Sequence, residues 1–414
     1  MPDYDFFVGV DWASQAHEIC VLNDAGVVVD AGPVAHSGAG MAELRARLDR
    51  LTADPSRIAV AIETPHGAVV DTLLAHGSHV FAVNPKQLDR FRDRHTVAGA
   101  KDDRRDAFVA ADAVRTDRWA FRRLQPEDPR LLELREISRA YEELVAEQGR
   151  LANRLREQLQ RFYPQVLTLC PAADEPWVWT LVDRLPTPAA AAAAAGRARG
   201  RVVRALLAQH RIRRLTAEEV HHVLTAAALP VAPGVTEAAT AHIALLVPRL
   251  RLVHEQRTHC ERRLDVLLTA LATPAADSEQ PEHRDVTILR SLPGVGRVVA
   301  ATMLAEATRP LAARDYQTLR AHAGVAPVTR QSGKTRLVAM RHSCNSRLRT
   351  AVFHWAGNSI RLDDRCRQHY DHLRQRHNHA RALRGVADRL LRILVVMLTE
   401  GAVYDPGRPR MRAA

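Results

Sequence analysis

The sequence predicts an α/β domain at the N-terminus, two long helices of coiled-coil type after it, and a mostly helical C-terminal domain. Three observations carry that expectation. Short apolar runs joined by tight turns fill the first 125 residues, a heptad spacing begins at Leu134 and returns at Leu250, and glycine-rich turns separate helical patterns beyond residue 288.

The apolar run at residues 5–11 (DFFVGVD) is followed by runs at 17–23 and 26–31, the last two separated by Asn23-Asp24-Ala25-Gly26. Runs of this length around an Asn/Asp/Gly turn read as a three-strand antiparallel meander. Residues 41–51 have helical spacing, while 58–63 (IAVAIE) and 79–84 (HVFAVN) read as strands flanking a helix at 68–76. Three hairpin strands followed by alternating α and β elements make an α/β pattern of the ribonuclease-H type, assigned to residues 1–125.

From Leu134 the apolar positions follow a heptad through Ile137, Tyr141, Leu144, Gln148, Leu151 and Leu155; a second series runs Leu250, Val253, Arg257, Cys260, Leu264, Leu267, Leu271. Charged flanks and three to four heptads predict long helices that pair antiparallel or meet another subunit, within a region at 126–275. Between them, residues 165–235 read as an insertion that holds Trp177, Trp179 and the alanine tract 189–195, a short helix or a linker. Prolines bound the polar stretch 274–281, so a third region is expected at 276–414.

A length of 414 residues calls for two or three domains. Lys and Arg number 59 against 47 Asp and Glu, a net charge of +12, and fifteen arginines against six acidic residues lie from Arg341 onward. That balance favours a polyanionic partner, nucleic acid first. Only Lys86, Lys101 and Lys334 are lysines, so the basic surface is one of guanidinium forks suited to phosphates. The five cysteines are far apart with no C-x-x-C pair, which argues against a disulfide framework or structural zinc and for a reducing cytosol. Neither a membrane span nor a secretory leader is expected, since Met1 leads straight to Asp3 and Asp5.

The strongest chemical signal is acidic. Asp11 closes the first strand and Glu63 the fourth, while Asp103 and Asp106 stand at i and i+3 on a helix opening in Lys101-Asp-Asp-Arg-Arg-Asp-Ala107. Carboxylates at the ends of neighbouring strands converge on one sheet edge, and an i, i+3 pair presents two more from one helix face. Crowded carboxylates remain ionised only around a cation, and paired Mg²⁺ ions suit phosphoryl transfer. Any one of these acids alone reads better as a turn or helix cap. Asp102 competes with Asp103 for the third position, with spacing to Asp106 favouring Asp103.

Two basic, glycine-bearing motifs follow. Leu292-Pro-Gly-Val-Gly296 precedes an apolar helix at 298–306; Gly294 and Gly296 would expose backbone N–H groups to a phosphate in a helix-hairpin-helix-like arrangement, or merely start the helix. Residues 324–336 (GVAPVTRQSGKTR) place Ser332 before Gly333 among Arg330, Lys334 and Arg336. Taken alone this is a phosphate-binding turn, because a serine needs a base or electrophilic help before it attacks. The histidines at 369, 372, 377 and 379 read as a solvated, nucleic-acid-facing helix rather than a metal cluster. Tyr316, Tyr370 and Tyr404, conceivable recombinase nucleophiles, read better as core or capping residues.

In this order, FVGVDWA, AIETPHG, KDDRRDA, the heptads, LPGVG and GVAPVTRQSGKT, the chain resembles the DEDD transposases of insertion sequences related to the pilin-gene invertases. The resemblance implies a RuvC-like N-terminal domain, a coiled-coil segment and a C-terminal transposase domain. It also implies recombination of donor and target DNA guided by a noncoding bridge RNA, Mg²⁺ on Asp11, Glu63, Asp103 and Asp106, and a transient phosphoserine at Ser332. Homo-oligomers, dimers or tetramers, with composite sites would follow, in a bacterial cytoplasm near the nucleoid. The sequence departs from the pattern at the doubled Asp102–Asp103 and in the stretch 165–235. Two other readings stand beside this one: a RuvC-like nuclease or Holliday-junction resolvase, which needs the carboxylates but not Ser332, and a non-catalytic nucleic-acid scaffold.

Overall fold

A computed structural model describes residues 3–95, 102–126, 128–198, 201–273, 284–333 and 335–407. The chain divides into two compact units, Met1–Asp128 and Pro129–Ala414.

The first unit is built on a six-stranded sheet. Its elements are β1 (Phe6–Asp11), β2 (Ala16–Asn23), β3 (Val28–Ala35), α1 (Gly38–Asp49), β4 (Ile58–Ile62), α2 (Ala68–His76), β5 (His79–Ala82), α3 (Pro85–His95), α4 (Asp103–Asp117) and β6 (Arg122–Arg123). The order is β3-β2-β1-β4-β5-β6, with β1, β2 and β3 antiparallel as the meander predicts and β1, β4 and β5 parallel. The expected helix 68–76 is found at those bounds, whereas β3 runs on to Ala35 and places Pro33 in an edge strand, where a missing N–H costs no ladder bond. Helix α3 and the two-residue β6 went unforeseen, being respectively too polar and too short to show periodicity.

Period-two alternation splits the sheet into two buried faces. Val8, Val10, Ile19, Val21, Ile58, Val60 and Ile62 pack with Leu44 and Leu48 of α1 and Val69, Val70 and Leu73 of α2. Phe7, Cys20, Leu22, Ala59, Ala61 and Phe81 pack with Leu88 of α3 and the small face of α4, Ala107, Ala110, Ala111 and Val114. The mixed sheet between two helical layers is compatible with a RuvC-like domain.

The second unit is helical except for one hairpin. Its helices are α5 (Pro129–Phe162), α6 (Gln165–Leu169), α7 (Pro176–Arg184), α8 (Pro188–Ala198), α9 (Arg201–Gln209), α10 (Ala217–Leu224), α11 (Val235–Ala272), α12 (Asp285–Ser291), α13 (Arg297–Glu306), α14 (Thr308–Ala312), α15 (Tyr316–His322), α16 (Ser346–Leu362), α17 (Asp364–Arg374) and α18 (His379–Glu400). Strands β7 (Val328–Ser332) and β8 (Thr335–Ala339) form the hairpin.

Helices α5 and α11 carry the two heptads and lie antiparallel. Glu133 pairs with Arg263 and Glu147 with Arg249, so fourteen residues forward on one helix match fourteen backward on the other. Leu134, Leu151, Leu155, Leu250, Val253, Leu264 and Leu267 are buried along this pair, which occupies the heptad faces within one chain. The insertion is not a linker. The alanine tract is helical in α8, and α6 to α10 close over Leu151, Leu155, Leu246 and Leu250 around the buried Trp177 and Trp179. A second core joins α12, α13, α16 and α18 about Trp355. Among the described residues no helix is long and apolar enough to cross a membrane.

Candidate active site

The carboxylate edge forms where β1 and β4 end and β2 begins. Because Gly9 and Ala61 face α4, alternation puts Asp11 on the same face, and continuing β4 by one residue does the same for Glu63; Val10 pairs with Ile62, so the two acids leave neighbouring strands at one level. Helix α4 crosses this face closely. A Cβ on Gly9 would overlap the carbonyl oxygen of Ala107, so glycine is required there for the helix to lie on β1. The helix runs antiparallel to β1: Arg104 lies 3.5 Å from Glu18, opposite Asp11, while Arg115 donates to the Asp24 carbonyl at the far turn at 3.4 Å. The α4 N-terminus, with Asp103 in its first turn, therefore stands over the Asp11 end of the sheet.

The four predicted acids have different surroundings. Asp11 and Glu63 are half-buried and Asp103 is exposed. Asp106 is buried and accepts from Arg92 Nε of α3 at 2.8 Å, an arginine that also holds Asp89. The Asp102 side chain accepts from Arg104 N at 3.2 Å as the N-cap of α4, which gives it a structural task. Among the described residues no three of the four predicted carboxylates bring oxygens within 4.8 Å of one another. Lys101 lies outside the described residues.

Glu18 is a further carboxylate that the motifs do not mark. It is the cross-strand partner of Asp11, on the α4 face with Cys20 and Leu22, and its buried Oε1 makes no hydrogen bond but is ion-paired with Arg104 Nε at 3.5 Å. Its legible signal is alternation, since Glu18 precedes Cys20 and Leu22 by two and four residues. An oxygen-only donor set fits a hard divalent cation such as Mg²⁺. Behind this edge, buried His17 accepts from Ala13 N through Nδ1 at 3.3 Å and meets His36 Nδ1 through Nε2 at 2.8 Å, fixing the loop that presents the half-exposed Trp12. Burial first, and His36 second, push the His17 pKa down.

Ser332 lies in the second unit, exposed at the end of β7 and paired in register with Thr335 across a turn in which Gly333 has φ +55°. Arg336 on β8 is exposed, the Arg330 backbone pairs with Leu337, and Lys334 lies outside the described residues. The LPGVG turn is divided. Gly294, at φ +81°, lies against α16, where a Cβ would come within 2.7 Å of Ser359 N, and Trp355 Nε1 and Ser359 Oγ both donate to the Pro293 carbonyl. Gly294 is thus a packing glycine, whereas Gly296 is exposed at the N-cap of α13 with open space beside it.

The remaining candidates resolve into structure. Tyr316 donates to Asp388 at 2.8 Å and lies under Arg320 and Arg392; Tyr404 donates to Asp363, and burial with that carboxylate pushes its hydroxyl up to about 12. Tyr370 is hydrogen-bonded to His379. The four histidines do not share one helix, His369 and His372 lying on α17, His377 in the turn after it and His379 at the start of α18, and they do not gather with other ligands among the described residues; the group that does is Cys170, Asp174 and Glu175. Glu175 there already accepts from Arg214 at 2.7 Å and Trp177 at 2.9 Å, so it ties α7 into the insertion core.

A mixed sheet edged with carboxylates, in a chain that also carries an exposed serine hairpin, is compatible with a nucleic-acid phosphoryl-transfer enzyme. A DEDD transposase profile of the IS110 type matches residues 8–164, and one described as the IS116/IS110/IS902 transposase family matches 286–371. The protein of Streptomyces coelicolor named as the mini-circle transposase for IS117 is 31% identical over 430 residues, covering 99% of this chain and 98% of that one. The insertion element IS110 43.6 kDa protein of the same organism is 30% identical over 98% of this chain and 97% of its own length. A Sinorhizobium fredii protein named as transposase y4uE is 47% identical over 213 residues, 51% of this chain and 58% of that protein. The chain belongs to the IS110 family of DEDD transposases. It is a DNA transposase.

Proposed function

We propose that the chain cuts and rejoins DNA strands with Asp11, Glu63, Asp103 and Asp106 as the ligands of Mg²⁺ and Ser332 as the nucleophile. The supporting observation is the shared level and face of Asp11, Glu18 and Glu63 beneath the α4 N-terminus. Glu18 is added to the ligand set on its place opposite Asp11, joining on release from Arg104, and Asp106 joins on leaving Arg92. Mg²⁺ held there supplies positive charge against the reacting phosphate and favours the ionised form of an attacking hydroxyl.

The serine's part is written in bonds. The Ser332 Oγ–P bond forms as one backbone P–O bond breaks, the serine proton leaves to a base or water, and the departing DNA oxygen takes up a proton. Attack by a DNA hydroxyl on the phosphoserine reverses the exchange and reseals a strand without hydrolysis. Exposure of Ser332 at a hairpin tip suits a group that must enter a second site, and Arg330, Lys334 and Arg336 are the cations next to it in the sequence. Gly296, at the open α13 N-terminus, is the member of the LPGVG turn suited to a phosphate. Regions 126–275 and 276–414 serve on this reading as the coiled-coil and transposase parts of the second unit, a noncoding bridge RNA guides the choice of DNA, and dimers or tetramers complete composite sites.

The test traps the reaction on suicide DNA bearing the element's ends, with RNA transcribed from its noncoding flank. A protein–DNA adduct mapped to Ser332, lost in Ser332→Ala but kept in Ser343→Ala and Ser346→Ala, is expected. Cleavage that survives Ser332→Ala without an adduct makes the chain a hydrolytic nuclease, and an adduct on tyrosine overturns the serine assignment.

A further inference from the structure

The hairpin that carries Ser332 is two-stranded and exposed, with Leu337 56% and Val338 55% accessible, and an isolated hairpin of this size has little stability of its own. Its direction is therefore set at its base. The entering chain is turned by Val325 N and Ala326 N donating to the Arg320 carbonyl at 2.9 and 3.0 Å, with Gly324 at φ +67° against Cys344, where a Cβ would lie 2.7 Å from Sγ. The leaving chain is caught by Arg349, whose Nη2 donates to the carbonyls of Arg341 at 3.3 Å and His342 at 3.2 Å.

One carboxylate joins this base to the long helix α5. Glu306, at the end of α13 and with a side chain only 6% exposed, accepts from Asn345 Nδ2 at 2.7 Å and from Arg139 of α5 at 2.9 and 3.3 Å. Its carbonyl is bonded to His322 Nε2 at 3.0 Å, and the His322 carbonyl accepts from Asn345 N at 2.9 Å. Asn345 meanwhile caps α16 through Oδ1, which accepts from Leu348 N at 3.0 Å. The amide thus does two separable jobs: its oxygen caps a helix and its nitrogen reaches the buried carboxylate. Burial opposes the ionised form of Glu306, and the hydrogen bonds from Arg139 and Asn345 outweigh it, holding the carboxyl below its usual range.

Resting on the serine reading above, we infer that Glu306 and Asn345 are a positioning pair that aims the Ser332 hairpin. Five residues of strand reach about 17 Å. A tilt of roughly 10° at the base would carry the tip about 3 Å, and misplacements near 1 Å cost on the order of a hundredfold in rate. Neither side chain touches the reacting atoms.

The experiment compares the full-length wild type with Asn345→Asp and with the double variant Glu306→Gln, Asn345→Asp. Asp keeps the cap of α16 but faces Glu306 with a second carboxylate; the double variant restores the bond with its direction reversed. Three quantities are read: hydrogen exchange of the 328–339 amides against those of 346–362, the first-order rate of adduct formation on saturating suicide DNA, and the DNA concentration at half-saturation. For Asn345→Asp, faster hairpin exchange, unchanged exchange in α16, at least a tenfold slower adduct and half-saturation within twofold are expected, with the double variant recovering both exchange and rate. Unchanged hairpin exchange in Asn345→Asp overturns the inference, as does a loss that extends equally to α16 and DNA binding and is not rescued. If the wild type forms no Ser332 adduct, the serine reading fails and with it the aiming role; the exchange data still decide whether the clamp holds the hairpin.

Discussion

Gly9 lies directly beneath Ala107, with no room for a Cβ between the first strand and the fourth helix of the N-terminal unit. Everything at the carboxylate edge depends on that approach, since it brings the first turn of α4 over the end of β1. Substitution of Gly9 by Ala should lift the helix from the sheet and cost about 2 to 3 kcal/mol, a typical penalty for overpacking a closed core. Urea unfolding followed by circular dichroism checks this, and an unchanged midpoint would contradict the packing.

The two aspartates of α4 should separate by their partners. Asp106→Asn removes one of the two carboxylates that hold a largely buried Arg92 and is expected to destabilise the N-terminal unit by about 1 to 3 kcal/mol as well as to abolish cleavage. Asp103→Asn, at an exposed position, should abolish cleavage with stability within about 0.5 kcal/mol of wild type. Asp102→Asn preserves the cap and should be active, whereas Asp102→Ala should cost about 1 kcal/mol. Activity in Asp103→Asn together with a dead Asp102→Asn would move the ligand by one residue.

Glu18→Gln tests a residue found by register alone. Strand cleavage should fall by about tenfold or more, and the Mg²⁺ concentration at half-maximal rate should rise, because an anionic group opposite Asp11 is replaced by a neutral amide. A wild-type Mg²⁺ dependence would remove Glu18 from the site.

The N-terminal unit should lose stability in mild acid. Folding holds His17 neutral, so the native state binds fewer protons than the unfolded chain once the pH falls below about 6.5. Stability is therefore full above that value and declines as the pH drops through it. Urea midpoints at pH 7.5 and 5.5 should differ, and His17→Gln, less stable at both, should show a smaller difference.

The two glycines of the LPGVG turn should behave oppositely. Gly294→Ala forces a Cβ toward Ser359 N from a left-handed backbone and should unfold the helical core in part, lowering the melting temperature by several degrees. Gly296→Ala has open space and an ordinary φ of −87°, so it should fold normally. Differential scanning fluorimetry of the two variants separates them.

Much of this protein is legible in its sequence. Alternation in FFVGVD and IAVAI, the Asn-Asp-Ala-Gly turn and the heptads from Leu134 and Leu250 specify their elements because the side-chain periods of strand and helix differ. The same periodicity put Asp11 and Glu63 at strand ends. It could not show that Glu18 stands opposite Asp11, that Asp106 is held by Arg92, or that Asp102 caps α4, because each depends on register or on a partner distant in sequence.

The heptads make the division plain. Their spacing determined two long amphipathic helices, but an apolar stripe has no preference of its own among partners, and only the folded structure, in which Glu133 meets Arg263 and Glu147 meets Arg249, shows that the helices meet each other within the chain. Likewise local composition determined a basic Ser-Gly turn, while tertiary packing decided what holds its base, through Glu306 and Asn345, thirty-nine residues apart. Periodicity and turn chemistry are local properties written into consecutive residues; close approach, register and the pairing of buried charges are properties of surfaces that exist only once the chain has folded.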